Sequence, residues 1–89
     1  MTEDEMKAVF DLRHVRARVM GVFDTKQQKD VPIEDRFLGH AIAFVALAPM
    51  DGFDVRASAV IFGEQGTESL RAKDCAQLWA TYGKALTDG

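Results

Sequence analysis

Between Phe37 and Gly63 the chain carries only three charged residues, Asp51, Asp54 and Arg56. Charged residues make up 28% of the 89-residue sequence, so this stretch is the natural core of whatever the chain folds into. Two runs that cover most of it, residues 36–48 and 53–62, alternate in a strand-like way. They flank Pro49-Met50-Asp51-Gly52, and Asp-Gly between apolar runs is a strong hairpin signal. Pairing Ala48 with Phe53 sets Phe44 opposite Ala57 and Ile42 opposite Ala59, large against small, as a packed face requires. The reverse face, with Ala41, Ala43 and Ser58, is small-sided and suits a second sheet or a partner. The expectation is a β-ribbon with its Ile42/Phe44 side in the core.

The flanks supply helices and further strands. Thr2-Glu3-Asp4-Glu5 matches a capping box, predicting a short helix over residues 3–10. Over residues 13–23 the period is two: Val15, Ala17 and Val19 alternate with His14, Arg16 and Arg18, predicting a strand. Residues 24–34 are polar, contain Pro32, and read as a loop. Near the C-terminus Leu70, Cys75, Leu78, Trp79, Tyr82 and Leu86 share one helical side. That helix starts either at Ser69 or at an Asp74 cap with residues 67–72 as a fourth strand; the longer helix is preferred. The fold class expected is α+β: one domain over residues 1–89, a small three- or four-stranded antiparallel sheet, a C-terminal helix on one face and a short N-terminal helix.

Several functions lack their parts. Cys75 is the only cysteine, so no intrachain disulfide forms, and a lone thiol suits a reducing, cytoplasmic setting. The start of the chain is acidic where an export signal is basic, and the longest apolar run, residues 41–50, is about half a membrane span. Only His14 and His40 accompany Cys75, with no ligand pair at metal spacing, so neither a metal nor another cofactor is expected. Cys75 falls on the apolar helix stripe and reads as a small hydrophobe rather than a nucleophile. Gly63-Glu64-Gln65-Gly66 sits where a phosphate-holding turn can lie, but it carries Glu64 and no Walker lysine.

One charged feature stands out. On a strand His14, Arg16 and Arg18 point the same way, and Arg71 and Lys73 extend the patch if the last helix lies nearby. Ser69-Leu70-Arg71-Ala72-Lys73-Asp74-Cys75-Ala76 faintly resembles the closing helix of double-stranded RNA-binding domains. Leu70 and Arg71 stand where that family has a lysine pair, so the likeness is a coincidence of pattern and assigns no family. The net charge of −3 also runs against generic phosphate binding.

The leading expectation is a small non-catalytic protein–protein interaction module, of the inhibitor, adaptor or phage-effector kind. It would bind a protein partner or a second copy through Ala41, Ala43 and Ser58 or through Trp79 and Tyr82. The alternative is nucleic-acid binding through the basic strand face, and a small-ligand or enzyme domain is the third reading.

Overall fold

The computed structural model describes residues 1–88. Residues 38–47, expected to form one arm of the hairpin, are a helix instead. Helix α2 (Leu38–Leu47) buries Leu38, Ala41, Ile42 and Val45, a stripe at helical spacing, and buries Gly39 and Ala43 on other sides. Alanine is the best helix former, and Ala41, Ala43 and Ala46 favour this state. A helix enclosed nearly all round shows no polar face, so periodicity alone cannot separate it from a buried strand. Its entry is fixed by long-range bonds: the Leu38 N–H donates to the Val15 carbonyl at 2.7 Å, and the Gly39 N–H to the Arg13 carbonyl at 2.9 Å. Its exit is a 3-10 turn, Ala48–Asp51, closed by Gly52 at φ +87°. Asp51-Gly52 therefore ends a helix; left-handed glycine serves helix termini as readily as hairpins.

The strand over residues 13–23 forms in two pieces, β1 (Arg16–Met20) and β2 (Phe23–Asp24). In β1 exposed Arg16, Arg18 and Met20 alternate with buried Ala17 and Val19. The expected loop folds in part as a hairpin, in which β2 pairs with β3 (Lys29–Asp30). Asp24 Oδ1 accepts the N–H groups of Lys26 and Gln27 at that turn. The remaining strands are β4 (Arg36–Phe37), β5 (Phe53–Asp54), β6 (Ala59–Phe62) and β7 (Glu68–Arg71). They make an antiparallel four-stranded sheet, β4-β1-β6-β7, and a three-stranded one, β3-β2-β5.

The two sheets are successive parts of one bent ribbon. Met20 faces Ala59, whereas Phe23 faces Asp54, so residues 55–58 span what Gly21 and Val22 span opposite. The surplus is a bulge, closed by the Ser58 N–H and hydroxyl, both donating to the Val55 carbonyl. Gly21 sits at φ +74° against Ala57, whose carbonyl oxygen leaves no room for a Cβ.

The C-terminal segment takes the strand-then-helix form, not the preferred long helix. Helix α3 (Ala72–Tyr82) follows β7 directly, and the Asp74 carboxylate accepts the Arg71 N–H at 3.0 Å. What decides this is pairing with a distant segment: Leu70 faces Val60 and Ser69 faces Ile61. Helix α1 (Glu3–Asp11) has the expected capping box, with the Glu5 N–H on Thr2 Oγ1 and the Thr2 N–H on Glu5 Oε1. It docks on α3 through Phe10, whose ring stacks on Tyr82 at 4.3 Å.

The fold is α+β. The sheet's inner face supplies Ala17, Val19, Val60, Phe62 and Leu70 to a core completed by α2 and by Cys75 and Leu78 of α3. No helix of the described residues is long and apolar enough to cross a membrane.

Candidate binding surface

The outer face of the four-stranded sheet gathers what the sequence scatters. Residues directly opposite in antiparallel strands share a face. Arg16 lies opposite Phe37, Arg18 opposite Ile61, which in turn faces Ser69, and Met20 opposite Ala59, which in turn faces Arg71. Arg16, Arg18 and Arg71 thus stand on one surface, with Arg71 two strands (~10 Å) across from β1. Between and beside them are Met20, 50% exposed, Phe37, 44% exposed, and half-buried Ile61.

Phe37 is the centre of a small cluster. The Arg16 guanidinium lies 5.4 Å from its ring centre. His14, in the turn before β1, meets the ring edge-on at 6.4 Å, and the His40 ring of α2 lies tilted to it at 6.3 Å. Both histidines are exposed. Phe37 precedes α2 in an extended conformation and has no side-chain role in capping the helix. Arg18 has one acidic neighbour, Asp35, at 3.8 Å, and both groups are more than half exposed, so the pair holds the arginine only weakly. A shallow concavity of about 330 Å³ runs beside these groups, lined by Arg16, Arg18, Asp35, Ile61, Gly63 and Gln65. The face carries net positive charge although the whole chain is acidic.

The expected basic set is partly united. Arg16, Arg18 and Arg71 share the face, and His14 stands at its rim. Lys73 is exposed on the first turn of α3, outside the strands that build the face. Phe37 and Met20 were missed as surface residues. Met20 continues the row His14, Arg16, Arg18 by simple alternation and was legible; Phe37 joins the row only through pairing with a distant strand.

The residues expected at a protein interface are withdrawn from solvent to different degrees. Ala41 and Ser58 are fully buried and Ala43 nearly so: α2 packs the two alanines into the core, and Ser58 closes the bulge with its hydroxyl on the Val55 carbonyl. Trp79 and Tyr82 are half-buried against the core, and Tyr82 is further covered by Phe10. His40 is exposed on α2.

Other chemistry finds little support in the geometry. Cys75 is fully buried, and burial, with the Asp74 charge adding to it, pushes its thiol up to about 12, far from a thiolate at neutral pH. Among the described residues no three His, Cys, Asp or Glu side chains converge as metal ligands. The Gly63–Gly66 turn leads into strand β7, so the helix N-terminus that an anion site would use is missing there. No family model, curated protein or solved structure matches the chain.

Proposed function

We propose that this chain is a small non-catalytic protein–protein interaction module, inhibitor- or adaptor-like, that presents the outer face of its four-stranded sheet to an acidic protein surface. One observation carries the reading: Phe37, Arg16, Arg18, Arg71 and Met20 lie together on an uncovered sheet face. Aromatic residues, methionine and arginine are the types enriched at protein interfaces, and lysine is depleted there; no lysine lies in β1, β4, β6 or β7. A guanidinium is more weakly hydrated than an ammonium and offers bidentate bonds to carboxylates, so these three select an acidic partner. Two copies meeting through this face would bring arginines toward arginines, which argues for a different chain as partner. A cytoplasmic setting belongs to the same reading, since the lone thiol of Cys75 then stays reduced.

The test is capture from a nuclease-treated lysate of the native host, with the purified chain as bait. The wild-type chain should retain an acidic protein. Arg16→Glu/Arg18→Glu should reduce that retention about tenfold or more, and Phe37→Ala should weaken it, with thermal unfolding nearly unchanged. Equal retention by all three overturns the reading. So does loss of all retained material on nuclease treatment, which instead favours a single-stranded nucleic acid stacked on Phe37.

A further inference from the structure

The hollow beside Arg16 and Arg18 is more specific than a basic face alone. The two arginines stand two residues apart on β1, about 7 Å along the strand, and both line it. Arg16 has no acidic partner among the described residues. Arg18 has only Asp35, whose carboxylate lies 3.8 Å from its Nε, beyond hydrogen-bond length. Asp35 is the one carboxylate lining the hollow; Glu64 of the neighbouring turn lines the adjacent groove instead. Another wall is the Gly63–Gly66 turn, held by the Gly66 N–H on the Gly63 carbonyl at 3.3 Å and the Thr67 N–H on the Glu64 carbonyl at 3.2 Å. Gly66, at φ +70°, comes so close to Ile61 that a Cβ would stand 3.1 Å from its side chain. Gln65 keeps a left-handed φ of +55°, uncommon for a residue other than glycine, and brings further amide donors to the hollow. The turn offers no helix N-terminus, so the two arginines supply the charge.

Resting on the reading of this face as a surface for an acidic protein, we infer that the hollow seats one phosphate monoester of that partner, a phosphorylated side chain, in place of Asp35. Asp35 is tethered beside Arg18. A partner carboxylate that displaced it would exchange like for like against a group at high effective concentration. A phosphodiester of a nucleic acid also carries a single charge and meets the same competition. A phosphate monoester carries a charge of about −1.5 to −2 at neutral pH and three strong acceptor oxygens. It answers Arg16 and Arg18 together, whereas Asp35 reaches Arg18 alone. The planar guanidinium fork suits bidentate bonding to such a group. Asp35 is then an internal competitor that screens Arg18 from singly charged groups and yields to a dianion.

The probe is a blocked Gly-phosphoserine-Gly peptide, titrated into the full chain at constant pH and ionic strength while backbone amide and arginine Nε resonances are followed. Saturable shifts at Arg16, Arg18 and residues 63–66 are expected. A blocked Gly-Asp-Gly peptide, and a thymidine dinucleotide joined by one phosphodiester, should each bind at least about tenfold more weakly. Arg18→Gln should weaken phosphopeptide binding about tenfold, and Asp35→Asn should strengthen it about threefold. The inference is overturned by equal binding of either control, by an Asp35→Asn chain that binds no more tightly, or by no saturable shift up to about 50 mM peptide. Capture from a phosphatase-treated lysate separates this from the reading it rests on. Retention that still depends on Arg16 and Arg18 after that treatment keeps the arginine face and refutes the phosphate.

Discussion

Helix α2 and strand β1 pack against each other and feed the same core, yet they divide their side chains differently. In α2 only His40 is exposed, and nearly every other residue is spent on packing. In β1 the division is strict: Ala17 and Val19 go inward, and Arg16, Arg18 and Met20 go out. The first element holds the fold and offers little to a partner. The second does both, and its two tasks sit on separate faces. Stability and recognition should therefore separate by residue parity in β1 and should not separate in α2.

The largest effect is expected at Gly39. A Cβ there would run into the Leu86 carbonyl oxygen and crowd Arg13, so the close approach of α2 to the C-terminal turn depends on glycine. Gly39→Val should cost ~3 kcal/mol or more by chemical denaturation, enough to abolish cooperative unfolding in a marginal small domain. A loss below about 0.5 kcal/mol would show that α2 does not pack as described.

Ile42→Ala comes next and is best measured beside Met20→Ala. Ile42 is fully buried, so its truncation should cost about 2–5 kcal/mol. Met20 is half exposed on the outer face and should cost less than about 1 kcal/mol. Similar losses at the two positions would break the contrast.

A smaller effect follows from Cys75, packed with α2 in the core. Its folded pKa, about 12, lies above the ordinary 9.0, so the folded state holds its proton where the unfolded chain releases it. The stabilisation is complete below pH 9 and is lost as pH rises from 9 toward 12. Cys75→Ala should flatten the alkaline arm of a stability–pH profile, and the native thiol should resist a thiol reagent until the chain unfolds. Rapid labelling of folded protein would contradict the burial.

The smallest stability change belongs to Arg16→Glu/Arg18→Glu, within about 0.5 kcal/mol, because both side chains are exposed and the Arg18–Asp35 pair is weakly held. The same change should weaken partner binding about tenfold or more. A large loss of stability would mean the arginines serve the fold rather than recognition.

How much of this was legible depends on what each signal requires. The Thr2 cap and the alternation of β1 are local and were readable from neighbouring residues. The run from Leu38 to Leu47 was not. Ala41 and Ala43 alternate with Ile42 and Phe44 as a strand would, while Leu38, Ala41, Ile42 and Val45 fit a helix equally well. Burial on nearly all sides removed the polar face that distinguishes the two periods. Gly52 does not separate the two, since a left-handed glycine closes both structures. The start of α3 hinged on whether Leu70 finds Val60, a pairing ten residues apart that no local pattern encodes. The binding face fared likewise: the arginines of β1 were visible, but Phe37 reached them only once β4 paired with β1.

Oxidative footprinting with and without the captured partner tests whether the outer face is open in the free chain and covered in the complex. Met20 and Phe37 should be labelled readily in the free chain and protected in the complex, while Met50, 82% exposed on the turn after α2, should be labelled equally in both. Unchanged labelling of Met20 and Phe37 on binding, or protection already complete in the free chain, would contradict it.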